Sequence, residues 1–397
     1  ASSSSRRARA SQGFRSAEAM QRPPPPPPFP MLLRAAASVA LLAPRVAPAV
    51  ALQDARPAAY SHEQGAVASN PSWMQHLDDS RTLSELSLPG THDTMSLHGG
   101  VAAMTQSMGL AEQLHSGIRA IDIRCAHISD ACAIHHGIVD QRIGLDAVLL
   151  TLADFLAANP TEAVLMRLSV GGPTPSGNSR SWEETWASYV QRHNAMWTGA
   201  QGPLIWPDTH GHCRPCLQNP VLGEIRGKVV ILQDFGIRWP ACFGVPYPDA
   251  LIVQDNWRLE SIWDLYQKWE AVKSMLDEAS SGPASRVYMN YLSAASGGVP
   301  YFVASGQQIP NTGAPRLITG KTTWSGDRMW PDFPRVNCIF SSCDIAFEGT
   351  NILTALYLTG KKKRVGVIMA DFPGPDLIDR IIAQNQLRQQ ANASLHL

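Results

Sequence analysis

The chain has 397 residues, with 33 Lys and Arg against 33 Asp and Glu, so its formal net charge is zero. That balance removes any electrostatic case for a nucleic-acid partner. With 44% hydrophobic and 17% charged residues, the chain reads as globular and long enough for one large domain or two ordinary ones.

Residues 1–30 carry a Ser run, scattered Arg and an unbroken Pro23–Pro28. Such a segment cannot bury a core and is expected to be disordered or extended. Met31 opens "MLLRAAASVALLAPRVAPAVALQDA". Arg34 supplies an n-region charge, Ala35–Ala43 a short apolar run, and Ala49-Val50-Ala51 a small-residue cleavage site. Residues 31–51 therefore read as a secretory signal, with an Ala-rich linker or a transit peptide as the alternative. The apolar run is too short to span a bilayer. Residues 52–71 read as a linker and 386–397 as a polar tail, with neither a transmembrane pattern nor a lipid-anchor signal.

From residue 72 onward, strands and helices alternate. Leu86–Leu88 is a short strand, followed at once by Pro-Gly and then by His92 and Asp93, which should sit just past a strand end. Further strands are expected at Ile118–Ile123, Ala163–Val170, Lys228–Gln233, Ala250–Gln254, Val287–Leu292 and Arg364–Ala370, whose apolar, β-branched content suits a buried parallel sheet. Leu145, Val148, Leu149, Leu152, Phe155 and Leu156 form one helical stripe that stops at Asn159-Pro160. Trp182–Trp197, Leu259–Ala279, Ile352–Thr359 and the Leu377, Ile378, Ile381, Ile382 stripe are the other helices. Repeated strand–helix units with no clean internal linker predict one α/β domain over residues 72–385, an irregular (βα)8 barrel of the TIM type. An open doubly wound sheet is the structural rival.

Six of the seven cysteines fall into close pairs, 125/132, 213/216 and 338/343, and Cys242 is left over. Paired cysteines behind a secretory signal favour disulfides, and Cys242 is expected to be a buried free thiol. The Cys125–Cys132 span, "AHISDA", is short and turn-like, which permits the roughly 4.4–6.8 Å Cα separation of a bridge; two reduced thiols are the alternative. His210, His212, Cys213 and Cys216 form the one metal-like cluster. It lacks the second cysteine pair of a zinc site, so no metal is assigned.

In a barrel, chemistry collects at the C-terminal ends of strands. The polar residues there are His92, Asp93, Asp122, Arg124, the His135-His136 pair, Arg167, Asp234, Asp255, Trp257 and Asp371. Taken singly, each has a structural explanation: a turn, a salt bridge or a helix cap. Taken together, two His, an Arg and a late Asp fit one chemistry. One imidazole takes a proton from a hydroxyl while the other gives one to a leaving oxygen. An Arg neutralises the charge that grows on a phosphate, and an Asp fixes the tautomer of the basic imidazole.

The motifs "LPGTHDT", "GIRAIDIRC", "IHHG", "NPTEAVLMRLS", "RGKVVILQ", "IVQDNW", "YMNYLSAASGG" and "VGVIMAD" occur in one order over about residues 72–385. In this the chain resembles the bacterial-type phosphatidylinositol-specific phospholipase C family, the X-domain barrel. The resemblance implies His92 as general base on the inositol 2-hydroxyl, Asp371 as its partner, His136 as general acid, and Arg124 on the phosphate with Asp93 in its network. It further implies Asp255 on inositol hydroxyls and Trp257 in the aromatic stacking place. No cofactor is implied. The implied protein is a secreted or lumenal monomer acting on phosphatidylinositol, or on a glycosylphosphatidylinositol (GPI) lipid, at a membrane surface.

Three departures stand out. Arg167 replaces a Lys usual in bacterial relatives, and Asp234 replaces an Arg that contacts inositol. The Trp-bearing membrane loops are not reproduced in "MSLHGGVAAMTQ" or "GGVPYFVASG". Lys361-Lys362-Lys363-Arg364 reads as a solvated strand start at the opposite barrel end, with attraction to anionic lipid as the alternative.

Overall fold

The computed structural model describes residues 58–393, apart from 198, 200–201, 207–218, 237–242, 324–334, 340–341 and 362. The disordered and signal readings of residues 1–51, the cluster at His210, His212, Cys213 and Cys216, and Cys242 lie outside the described residues.

Sixteen strands are described. The sheet that carries the site contains β1 (Leu88–Thr91), β2 (Ala120–Ile128), β3 (Ala131–His136), β4 (Val139–Gly144), β5 (Val164–Val170), β6 (Ile205–Trp206), β7 (Val229–Asp234), β8 (Val245–Pro246) and β9 (Leu251–Gln254). After the short β10 (Arg258–Leu259) come β11 (Val287–Tyr291), β12 (Ala295–Ser296), β13 (Ile318–Thr323), β14 (Arg335–Ile339), β15 (Ser342–Ala346) and β16 (Val367–Ala370). Parallel pairing runs β6-β7-β5-β2-β1-β16-β11-β9. The last strand pairs with the first, in register Leu88↔Val367 through Thr91↔Ala370. This wrap-around order is that of a barrel and not of a doubly wound sheet, whose order reverses at a switch point. Among the described residues no ladder joins β9 back to β6 or β8, so the expected irregularity is a gap in the middle of the chain.

Side chains alternate across a strand, and this parity builds the site. Leu88, Ala120, Leu165, Val230, Leu232, Leu251, Met289, Val367 and Met369 share one core cluster, the barrel interior. Two or four residues further on, along or just past each strand, the same parity presents His92, Asp122, Arg124, Arg167, Asp234, Tyr291 and Asp371. The opposite faces pack Ile121, Met166 and Ile231 against the helices Leu145–Ala158 and Trp182–Met196. Ile368 and Ala370 pack against the helices Leu265–Ser281 and Thr350–Leu358. Gly90 has no room for a side chain, since a Cβ would lie 2.6 Å from Met369 Sδ and 2.9 Å from Ala120 Cβ.

Several boundaries differ from expectation. Pro89 and Gly90 lie within β1 and do not end it. Arg258–Leu259 is a strand, and the following helix begins at Leu265. Within the segment read as a linker, Ala59, Tyr60 and Ser61 are buried and Tyr60 bridges to Pro373, while residues 63–66 are exposed. As far as Ala393, the segment read as a tail continues the helix Pro375–Ala393. The basic run is engaged in structure at Lys363 and Arg364. Lys363 Nζ donates to Asp277 at 2.7 Å, and Arg364 donates to the carbonyls of Ala279 and Gly282, which close the helix Leu265–Ser281.

Candidate active site

His92 follows β1 directly, and its backbone N–H donates to Ala370 O at 3.1 Å, extending the β1–β16 ladder by one rung. The rung brings His92 Nδ1 within 2.8 Å of Asp371 Oδ1, with Asp371 only 2% exposed and His92 17% exposed. A carboxylate accepts, so Nδ1 carries the proton, and Nε2 is left as the nitrogen with a free lone pair.

Asp122, fully buried, is the electrostatic centre. Its Oδ2 accepts from Arg124 Nη2 at 2.8 Å and from the Asp93 backbone N–H at 3.1 Å. Its Oδ1 accepts from Arg167 Nη1 at 2.8 Å. Burial alone pulls its pKa up, but Arg124 and Arg167 outweigh burial and hold the carboxyl well below its ordinary range. Arg167 also donates to Asp234 at 2.5 Å and stacks over the Tyr247 ring at 4.7 Å. Asp234, one of the departures noted above, is therefore committed to Arg167 at the cavity wall.

Asp93 is buried in a left-handed conformation, φ 41°, which Asp tolerates better than most residues. Neither of its oxygens accepts a hydrogen bond among the described residues. Its Oδ2 lies 3.4 Å from Arg124 Nη1 and 3.7 Å from His136 Nε2. Burial pushes its pKa up, against the opposing pull of Arg124. His136 ends β3, and its Nδ1 lies 2.6 Å from Ala103 O. A carbonyl only accepts, so Nδ1 carries a proton and Nε2 is directed at Asp93 and the cleft.

A cavity of about 520 Å³ beside these groups is lined by Arg167, Asp234, Tyr247, Asp249, Leu251 and Asp255 among others. Asp255 is thus on the wall, while Trp257, at 53% exposed, lies beyond it. Five groups had been given no role from sequence. Asp122 had been noted only as a strand-end acid; its parity with Ala120 was the available signal. Tyr247 lies on a segment with no regular pattern. Tyr291, edge-on to His92 at 5.9 Å, is raised well above its ordinary pKa by burial first, with Asp122 adding to the shift. Ser96 Oγ lies 3.1 Å from His136 Nδ1. Lys268 is fully buried, donates to Gln254 Oε1 at 3.3 Å, and is pushed down to about 7 by burial.

The expected Cys125–Cys132 bridge is present, with Cα atoms 5.1 Å apart. It ties β2 to β3 between Arg124 and His136, across a tight turn with positive φ at Ser129 and Asp130. Removing it by the double change Cys125→Ser and Cys132→Ser is expected to lower stability by about 3 kcal/mol or less and to slow turnover by misplacing both groups. Denaturant melts and turnover assays check this; equal stability and rate in the variant would show the bridge to be dispensable.

Residues 80–233 match the family model "Phosphatidylinositol-specific phospholipase C, X domain". A relative from Staphylococcus aureus (strain Newman), called 1-phosphatidylinositol phosphodiesterase, is 29% identical over 270 residues, 60% of this chain and 80% of the relative. One of the same name from Listeria monocytogenes serovar 1/2a is 29% identical over 238 residues, 56% of this chain and 68% of the relative. A solved phosphatidylinositol-specific phospholipase C of Staphylococcus aureus superposes with a TM-score of 0.55 at 22% identity, over 82% of this chain and 100% of the other. That of Listeria monocytogenes gives 0.51 at 22% identity, over 80% and 99%. The wrap-around parallel sheet thus has the TIM-like barrel fold of these solved structures, and residues 80–233 are the part of the chain similar to the phosphatidylinositol-specific phospholipase C X domain.

Proposed function

We propose that the protein is a phosphatidylinositol phosphodiesterase of the lyase type. The observation that carries this reading is the meeting, at one rim, of the His92–Asp371 pair with the Arg124–Asp93–His136 group. His92 Nε2 takes the proton of the inositol 2-hydroxyl, whose oxygen attacks phosphorus. The bond from phosphorus to the diacylglycerol oxygen breaks, and His136, entering this step with a proton on each ring nitrogen, gives that oxygen the one on Nε2. Inositol 1,2-cyclic phosphate and diacylglycerol leave, and the two imidazoles exchange their proton imbalance with solvent. Arg124, anchored by Asp122, faces the phosphate charge as it grows, a role for a fixed fork of donors. Arg167, Asp234 and Asp255 form the headgroup side of the cleft, and the exposed Trp257 ring, beyond the wall, is the proposed stacking partner for the headgroup. The substrate would be met at a membrane surface by a monomeric, exported protein; the Cys125–Cys132 bridge suits an oxidising compartment, and no helix among the described residues is long and apolar enough to cross a membrane.

A second reading, a GPI headgroup, is favoured by one observation. The cavity wall carries Asp234, Asp249 and Asp255 against a single Arg167, which suits a headgroup bearing an amino sugar.

The test is incubation with radiolabelled phosphatidylinositol in EDTA. Cyclic inositol phosphate is expected at an undiminished rate, because the Arg124 guanidinium supplies charge neutralisation without an ion. Activity abolished by the chelator and restored by calcium would overturn the metal-independent mechanism. Absence of product under every condition would favour a non-catalytic lipid- or glycan-binding barrel.

A further inference from the structure

The loop between β1 and the helix Leu110–Ser116 carries two adjacent polar residues, Thr105 and Gln106, both with 0% exposure. Neither faces the cavity. Gln106 Nε2 donates to His92 O at 2.9 Å and to Ala370 O at 3.0 Å. Both partners are carbonyls, so only the nitrogen of the amide fits there. Thr105 Oγ1 donates to Asp93 O at 2.9 Å, and Thr105 O accepts from Phe372 N at 2.9 Å. The backbone N–H groups of Thr105 and Gln106 both donate to Ser96 O, at 3.1 and 3.3 Å, and Ser96 Oγ lies 3.1 Å from His136 Nδ1.

These bonds end on a telling set of atoms: the carbonyls of His92 and Asp93, the peptides on both sides of Asp371, and the serine beside His136. Two non-glycine residues there, Asp93 (φ 41°) and Phe372 (φ 46°), have left-handed backbones. Such conformations persist only where the surroundings over-determine them, and the Thr105–Gln106 bonds supply that constraint on both. Building on the phosphodiesterase reading, we infer that Thr105 and Gln106 are positioning residues, a buried clip that fixes His92, Asp93 and Asp371 in one register and reaches His136 through Ser96. The clip touches no substrate and acts only through the groups it holds.

Thr105→Val keeps the shape and every backbone bond but removes the hydroxyl donor; Gln106→Met keeps length but removes the amide; Thr105→Ser keeps the hydroxyl. The measurements are thermal unfolding, kcat and KM on phosphatidylinositol in detergent micelles, and the proton resonance of the His92 Nδ1–H shared with Asp371. Thr105→Val and Gln106→Met are expected to lower kcat on the order of ten- to a hundredfold, the scale of small misplacements at a reacting centre, with KM little changed and the resonance shifted or broadened. Thr105→Ser recovers most of the rate. A normal kcat and an unmoved resonance in folded Thr105→Val would overturn the inference, and a fall in melting temperature alone would assign the clip to stability only. If Gln106→Met does not fold, Thr105→Val with its serine control decides. If the wild-type protein releases no cyclic phosphate, the functional reading fails, while the resonance still tests the clip.

Discussion

His92→Ala and His136→Ala proteins are each expected to fold normally and to lose several orders of magnitude in turnover. General acid–base catalysis contributes about 10²–10⁴ per group, and each imidazole here stands alone in its part. His92 is the group whose Nε2 is freed by an Nδ1–H donated to Asp371 at 2.8 Å. His136 is the one whose Nδ1–H is taken by Ala103 O, with Nε2 toward Asp93. Both side chains are partly exposed, at 17% and 27%, so truncation opens no sealed cavity and the fold should survive. A substrate whose leaving alcohol is already acidic separates the two proposed roles: with His136 as acid and His92 as base, it should rescue His136→Ala and not His92→Ala. Near-normal rates in His136→Ala on the natural lipid would remove the acid assignment.

Asp122→Ala is the substitution expected to harm stability and rate together. It strips the shared partner from Arg124 and Arg167, whose side chains are only 30% and 15% exposed. Removing one partner of a buried ion pair costs about 3–5 kcal/mol, and the partial exposure of Arg124 puts the expected loss near the lower end of that range. Rate should fall as well, because Arg124 loses the two bonds that aim it. The pH dependence has a definite sign. The folded pKa of Asp122 lies below its ordinary 3.8, so its contribution is present above that value and lost only as pH falls through the folded value. The stability gap between wild type and Asp122→Ala should therefore be constant from pH 5 to 8 and close only in strong acid. Asp93 has the opposite sign. Its pKa is raised by burial, so the contribution of its protonated form is present below the ordinary value and lost as pH rises through the folded one. Denaturant melts across pH check both, and a gap that closed by pH 5 would show that Asp122 is not held ionised.

Much of this architecture was legible in the chain. The parallel strands announced themselves as apolar runs because both of their faces are buried, and the parity that carries Leu88 and Val367 inward also carries His92 and Asp371. The strands β3 and β4 were not legible, although the turn between β2 and β3 was: it places Ser129 and Asp130 at positive φ, and Asn178 Oδ1 props it by accepting from Asp130 N at 2.7 Å, a contact 48 residues away in sequence. The packing of Ala59–Ser61 was hidden for a similar reason: it depends on backbone bonds to Phe372 and Gly374 and leaves no hydrophobic period. The burial of Thr105 and Gln106 was hidden too, since polar residues in a loop read as solvated. Motif resemblance placed Asp234 at a headgroup position, but only distances reveal its commitment to Arg167.

The pairing of β1 with β16 has a consequence for the life of the polypeptide. His92 and Asp371 are 279 positions apart, and bringing such distant points together costs about 5 kcal/mol in loop-closure entropy. A ribosome that has made the first four-fifths of the protein has made a base with no carboxylate to orient it. Premature termination, proteolytic loss of the C-terminal helix–strand unit, or arrest before β16 all leave the His92–Asp371 pair unassembled. Non-local closure of this kind is also slow. On the proposed reading, competence of the site therefore waits for β16 to be made and paired with β1, and chain order alone delays its assembly.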